Sequence, residues 1–328
     1  MSTRRLGRTG RDVSALGMGC WAIGGPWSSA DGRPMGWSQV DDAESIRAIQ
    51  EALDMGVTFF DTAANYGCGH SERILGRALG ERRKDVVIAT KFGHIIDEEK
   101  RFIRGDEDRI AENLPKDCEA SLNRLNTDVI DLYQLHESPL EESKALEVRE
   151  ALEDLVSQGK IRAYGWSTDH VDCARVFAGG EHCASIQFSL NAFTDNAEMI
   201  ALTEAEGLAG INKKPLASGF LTGKFTTQTT FPDDDYRRVI DFSNERFAGM
   251  LKLANALRDA LTVGGRTMVQ GALGWIWARS AVTIPIPGFK TVEQVRENAG
   301  ALKFGALSRK EADEISRIVS EIRAAASD

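Results

Sequence analysis

Four residues of the chain have the types needed to move a proton onto an oxygen: Asp61, Tyr66, Lys91 and His136. Asp61 ends the apolar run VTFFD, Lys91 ends VVIATK, and His136 directly follows VIDLYQL. Tyr66 lies five residues past Asp61, in the loop-like stretch AANYG. A free phenol titrates near ~10, too high for easy proton traffic at neutral pH. An adjacent ammonium favours the phenolate and pulls that value down. A half-buried lysine in turn needs an anion, which Asp61 can supply. A histidine opposite the tyrosine can hold a carbonyl oxygen by hydrogen bond. The set suits protonation of a carbonyl oxygen while another group attacks the carbon. Taken singly, Asp61 serves as well to cap a turn, Tyr66 to pack a loop, and His136 to satisfy a buried network. Their joint placement at the ends of consecutive apolar runs is what favours chemistry.

Something must bring these distant positions together. Eight short apolar segments run along the chain: VSALGMG, VTFFD, VVIATK, VIDLYQL, IRAYGWS, ASIQFS, LAGINKK and VTIPIPG. Most are β-branched or aromatic-rich and too short for helices. Between them lie segments with helical spacing, such as DDAESIRAIQEALDMG, which starts on aspartates and stops at glycine. SERILGRALG, LPKDCEASLNRLN and KALEVREALEDLVSQG follow the same grammar. Eight alternating units predict an α/β fold, a (β/α)8 TIM barrel spanning residues 1–328 as one domain. Its C-terminal strand ends would form one rim, which gathers Asp61, Lys91 and His136. The opening RRLGRTGRDVSALGMG predicts a small hairpin around Thr9-Gly10 that plugs the opposite end. Two long loops interrupt the alternation, GPWSSADGRPMGWSQV and TTQTTFPDDDYRRVIDFSNERF. Both fall above the active face.

Composition narrows the function classes. The chain has 328 residues, 42% hydrophobic and 27% charged, as in ordinary globular proteins. Its formal charge of −9 argues against a nucleic-acid or anionic-membrane surface. No apolar run reaches a membrane span, and the N-terminal segment has no apolar stretch of a secretory signal. The five cysteines are scattered without a CxxC, which suggests free thiols and a cytoplasmic location. Cys68 and His70 have no second ligand pair, so no metal is expected. No GxGxxG occurs, and GFLTGKF departs from a P-loop in spacing and in the residue after Lys224.

The ordered blocks LGRTGRDVSALGMGCWAIGG, ESIRAIQEALDMGVTFFDTAANYGCGHSERILGRAL, VVIATKFG, DLYQLH, GKIRAYGWST, PLASGFLTGKF and IPIPGFKTVEQVRENAGAL resemble the aldo-keto reductase superfamily over nearly the whole chain. The chain is most similar to the bacterial branch with inositol-operon and general-stress members. The resemblance implies NADPH-dependent reduction of an aldehyde or ketone to an alcohol. It implies Tyr66 as general acid, Lys91 lowering its pKa, Asp61 pairing with Lys91, and His136 orienting the carbonyl. A small-molecule carbonyl compound is then the expected partner. A non-catalytic nicotinamide-sensing module is the alternative on the same fold. A metal-dependent or paired-carboxylate hydrolase is disfavoured, because DEEK and PDDDY have no ligand spacing and read as solvated loop.

The phosphate site of such barrels follows the seventh and eighth strands. PLASGFLTGKF contributes Leu216, Ser218, Gly219, Leu221, Gly223 and Lys224 to a wrap around a pyrophosphate. Gly288 and Lys290 precede a helix start that favours an anion, and Lys290 is the candidate for a 2′-phosphate. The resemblance implies Gln294 and Asn298 near the adenine, and Ser167, Thr168 and Gln187 near the nicotinamide amide. Two positions depart from the pattern. Thr168 stands where many members have asparagine. Lys213 falls near the position where many members have an aromatic that stacks on the nicotinamide; its stem can cover a ring, or its charge bridge a phosphate. On the substrate side, Trp21 is the first candidate and His94 the second; Trp27 and Trp37 serve equally to wall a pocket or to pack the first long loop against the barrel. Trp275 and Trp277 are expected in the core.

Overall fold

The structure, a computed structural model, describes residues 2–106 and 109–325. Eight strands form one sheet in which every hydrogen-bonded neighbour is parallel. They are β1 (Met18–Gly19), β2 (Phe59–Asp61), β3 (Val87–Phe92), β4 (Leu132–Leu135), β5 (Tyr164–Ser167), β6 (Cys183–Ser189), β7 (Ala209–Lys213) and β8 (Thr283–Pro285). The sheet closes where Gly17 N donates to Pro285 O and Gly19 N to Pro287 O, each at 3.0 Å. Closure needs small residues there. A Cβ on Gly19 would sit 2.7 Å from Ile286 O, and one on Gly17 2.4 Å from the Phe59 ring.

Around this barrel lie α1 (Asp42–Asp54), α2 (His70–Leu79), α3 (Ile110–Leu125), α4 (Glu142–Ser157), α5 (Val171–Ala178), α6 (Ala197–Ala205), α7 (Met268–Arg279) and α8 (Val292–Gly300). Helix α1 shows why the pattern folds this way. Asp41 caps it by accepting from Ala43 N at 2.8 Å, and Ala48, Ile49, Ala52 and Leu53 bury one stripe against the sheet. Trp275 and Trp277 are buried in α7, and Trp277 Nε1 donates to Ala15 O at 2.8 Å.

The barrel interior is apolar at its lower end. Phe59, Val87, Leu132, Ile211 and Ile284 meet Leu6 and Val13 there. Those two belong to an antiparallel hairpin, Thr3–Arg5 with Asp12–Ser14, which plugs the end as expected. The run VSALGMG is divided between two elements rather than forming one strand. Ser14 Oγ donates to Leu16 O at 2.6 Å, turning the chain out of the hairpin before β1 begins. A second hairpin, His94–Asp97 with Phe102–Asp106, rises after β3, and the acids of DEEK fall at its tip. Further helices, Glu245–Ala256 and Arg309–Ala324, flank the barrel. Among the described residues no helix is long and apolar enough to cross a membrane.

Candidate active site

Alternation along each strand decides what faces the barrel axis. In β3, Val87 and Ala89 line the lower interior, so Lys91 points inward on the same face one step higher. Its ammonium meets three oxygens: Asp61 Oδ1 at 2.5 Å, Thr62 O at 2.9 Å and Tyr66 Oη at 3.2 Å. These account for the three donors of a lysine. The Lys91 and Asp61 side chains are 0% and 2% exposed, so the pair is shut away from water. The other Asp61 oxygen accepts from Gln134 Nε2 at 3.1 Å and Gln187 Nε2 at 2.8 Å. Gln134 was not singled out in the sequence. It shares the inward parity of Leu132 and His136, and that parity was the available signal.

The loop carrying Tyr66 is set by glycine contact. Gly67 has φ +61°, and a Cβ there would meet Gly24 O at 2.1 Å. A Cβ on Gly24 would meet the Tyr66 carbonyl carbon at 2.8 Å. The two backbones therefore lie directly on each other and fix where the phenol enters. His136, just past β4, donates its backbone N–H to Phe92 O at 2.9 Å and turns its ring edge-on to Tyr66, centroids 5.8 Å apart.

The electrostatics follow from burial. Burial pushes the Tyr66 phenol up; Lys91 pulls it down, in the expected sense, but does not overcome burial. The phenol therefore keeps its proton at neutral pH. Burial pushes the Lys91 ammonium down, yet Asp61 and then Tyr66 outweigh it and hold it charged. Burial, followed by His94, Lys91 and Lys213, drives His136 well below the usual histidine range, so its imidazole is neutral. A neutral phenol and a neutral imidazole thus face one space, and both can donate to the same oxygen.

That space belongs to a cavity of about 910 Å³. Ser167, Thr168, Gln187, Lys213, Leu216, Ser218, Gly219, Lys224, Gly288, Lys290, Gln294 and Asn298 all line it, as do Trp21 and His94. Leu221 and Gly223 do not: Leu221 is buried in the outer core, and Gly223 faces Arg258 and Met268. The loop after β7 turns through left-handed conformations at Ser218 (φ 57°) and Gly219 (φ 105°). There the amides of Gly219 and Leu221 both donate to Leu216 O. Lys224 pairs with Glu297 at 3.1 Å, and Lys290 Nζ donates to Ser38 O at 3.0 Å. At the start of α8, Val292 N donates to Glu44 Oε1 at 2.9 Å, while Gln294 Oε1 accepts from Lys290 N at 2.7 Å. Asn298 Nδ2 donates to Gly288 O at 3.1 Å. Near Tyr66 and His136, Ser167 Oγ donates to Gln187 Oε1 at 3.4 Å and accepts from Lys213 Nζ at 3.5 Å. The Thr168 hydroxyl is engaged by Ser138 Oγ at 2.7 Å. The donor set fits an elongated ligand with an amide at one end and anionic groups at the other.

Part of the remaining wall is aromatic. Trp21 stacks over Tyr66 (centroids 6.1 Å, planes 25° apart) and fixes itself by donating Nε1 to Met35 O at 3.2 Å. Tyr236 lies against Trp21, centroids 4.5 Å apart, and its N–H donates to Gly36 O at 2.8 Å. It comes from the second long loop and was missed, because that loop has no periodicity to give its residues a direction. Arg237 lies over Trp37 at 4.1 Å, tying the two long loops together across the mouth. His94 sits 5.2 Å from His136 ring to ring and 3.5 Å from Glu137. Cys68 packs with Trp27 and Ile103, and His70 bonds to Asp42 at 2.8 Å.

Comparison with known proteins agrees with this architecture. The Aldo/keto reductase family model matches residues 15–320. The chain is 33% identical over 305 residues to the aldo-keto reductase YhdN of Bacillus subtilis, covering 90% of this chain and 87% of that one. It is 30% identical over 313 residues to the aldo-keto reductase yakc [NADP(+)] of Schizosaccharomyces pombe, covering 92% and 86%. Among solved structures, a glycerol dehydrogenase from Gluconobacter oxydans superposes with a TM-score of 0.82 at 30% identity, covering 97% of this chain and 95% of that one.

Proposed function

The chain belongs to the aldo/keto reductase family, and from that premise we propose that it reduces an aldehyde or ketone to an alcohol with NADPH. The single observation behind the roles is the buried Lys91 ammonium, held between Asp61 and the Tyr66 hydroxyl. NADPH, when bound, would supply hydride chemistry at the carbonyl carbon. Everything else falls to the chain. The neutral His136 imidazole and the Tyr66 hydroxyl hold the carbonyl oxygen from two sides. As negative charge grows on that oxygen, Tyr66 gives up its proton, and Lys91 stabilises the phenolate left behind. Asp61 keeps Lys91 charged, and Gln134 and Gln187 keep Asp61 turned toward it.

Ser167 and Gln187 would take the carboxamide end of the nucleotide, Lys290 and Lys224 its phosphates, and Gln294 and Asn298 the adenine end. The lysines reach phosphate by exchanging their present partners, Ser38 and Glu297. The NADP(+) assigned to the Schizosaccharomyces pombe relative supports NADP(H). Trp21 and His94 would border the substrate, and a cytoplasmic location suits a chain whose cysteines are all free. The test is to follow NADPH oxidation over a panel of aldehydes and ketones with wild type and Tyr66→Phe. The variant should lose roughly 10²–10⁴ in turnover while binding NADPH as before. Near-normal turnover in the variant would overturn the role of Tyr66. Nucleotide binding with no turnover across the panel would favour a sensing module instead.

A further inference from the structure

Lys213 is a charge that the proton-transfer chemistry does not use. It follows Ala209 and Ile211 on the inward face of β7 and enters the cavity beside Ser167, its Nζ 3.5 Å from the serine hydroxyl. That hydroxyl donates to Gln187, which in turn holds Asp61. Lys213 is close enough to Lys91 and His136 for its charge to act on both. A ring that delivers hydride to a carbonyl held by Tyr66 and His136 must lie within a few ångströms of that carbonyl, roughly 3–3.5 Å. The inward ends of β5, β6 and β7 form the adjoining floor, and Lys213 is its cation.

The Lys213 charge is only partly balanced. Asp169 lies 3.4 Å away, but its side chain is 45% exposed. Its two oxygens also serve Ser189, at 2.6 Å to the amide and 3.0 Å to the hydroxyl. Asp61 is matched by Lys91 and has nothing left for Lys213. The oxidised nicotinamide ring carries one more positive charge than the reduced ring. A poorly balanced cation beside it therefore raises the free energy of the oxidised form alone.

We infer that Lys213 makes this site bind the reduced dinucleotide in preference to the oxidised one, biasing the protein toward carbonyl reduction. This rests on the NADPH reading above and adds to it a redox preference set by one residue. Burial already pushes the Lys213 ammonium down, which agrees with its being a costly charge in that position.

The test is equilibrium titration of the full chain with NADPH and with NADP+, followed by calorimetry so that the readout is binding rather than turnover. Wild type should bind NADPH more tightly. Lys213→Met should shrink that preference by about tenfold or more, since a unit charge a few ångströms away at an effective dielectric near ~20 is worth at least that factor. Lys213→Arg keeps the charge and should keep the preference. Asp169→Asn removes the counter-charge and should widen it. If Lys213→Met weakens both nucleotides equally, or leaves the ratio unchanged, Lys213 is a packing or hydrogen-bonding residue and the inference is overturned. If wild type binds neither nucleotide, the cofactor reading itself fails.

Discussion

Replacing Asp61 by asparagine isolates the interaction on which the site depends. In the wild type one Asp61 oxygen takes the Lys91 ammonium at 2.5 Å and the other takes two glutamine amides at 3.1 and 2.8 Å. All three partners are donors, so the site needs acceptors on both sides. Asparagine offers one acceptor and one donor. In one orientation its amide faces the ammonium; in the other it faces Gln134 and Gln187. Either way a buried donor opposes a donor, and Lys91 loses its counter-ion. Breaking a fully buried pair by removing one partner costs on the order of 3–5 kcal/mol. Removing both charges is far milder, because the desolvation of each disappears with it. Asp61→Asn should therefore lose about 3–5 kcal/mol in denaturant unfolding, while Asp61→Asn with Lys91→Met should recover most of that loss. Lys91 can also relieve the strain by giving up its proton. Activity of Asp61→Asn should then rise as the pH is lowered and the amine recharges, a trend absent from Lys91→Met. Purely additive losses in the double variant, with no such pH trend, would show that the two charges stand independently and refute the reasoning.

His136 gives a pH prediction of definite sign. Its folded-state pKa lies well below the unfolded value of ~6.5. The unfolded chain thus binds the extra proton first, and stability falls as pH drops below that value, by up to about 1.4 kcal/mol per pH unit from this residue. His136→Asn should flatten the slope of unfolding free energy between about pH 6.5 and 5; an unchanged slope would mean that His136 is already charged in the fold. Gly67→Ala should cut turnover sharply by displacing the Tyr66 loop, because its Cβ would lie 2.1 Å from Gly24 O. A crystal structure of that variant with the loop unmoved would contradict this. Leu6→Ala should destabilise the barrel by roughly 2–5 kcal/mol, since Leu6 is buried in the plug, and denaturant unfolding would measure it.

What the sequence made legible is what period-two alternation and strand-end position can express. Lys91 and Asp61 end their runs, and the inward parity that buries Val87 and Ala89 also aims Lys91 at Asp61. Tyr66 was visible only as a tyrosine in a loop, and its direction is set by the contact of Gly24 and Gly67, residues 43 positions apart in the chain. The hairpin at His94–Asp97 stayed hidden because HIID is too short to show alternation, and its acids read as solvated loop. The loops proposed for the phosphates could be picked out as text, but their hydrogen bonding could not. The amides of Gly219, Leu221 and Val292 are engaged by Leu216 O and Glu44.

Those engaged amides bear on how the dinucleotide would be held. If backbone donors at the two proposed phosphate loops serve the protein's own acceptors, side-chain cations must do most of the anchoring. Lys290 now donates to the neutral Ser38, so a phosphate would give it a charged partner, whereas Lys224 already pairs with the Glu297 carboxylate and would trade one anion for another. Lys290 leaves Ser38 on the first long loop, the loop that Arg237 and Tyr236 tie to the second. Nucleotide binding should consequently loosen that tie as it tightens the phosphate end. Hydrogen exchange with and without NADPH would show it, with protection falling around Gly36–Ser38 as it rises across Gly288–Gln294. Protection rising over both segments would mean that the loops close on the nucleotide as one unit and that Lys290 keeps Ser38.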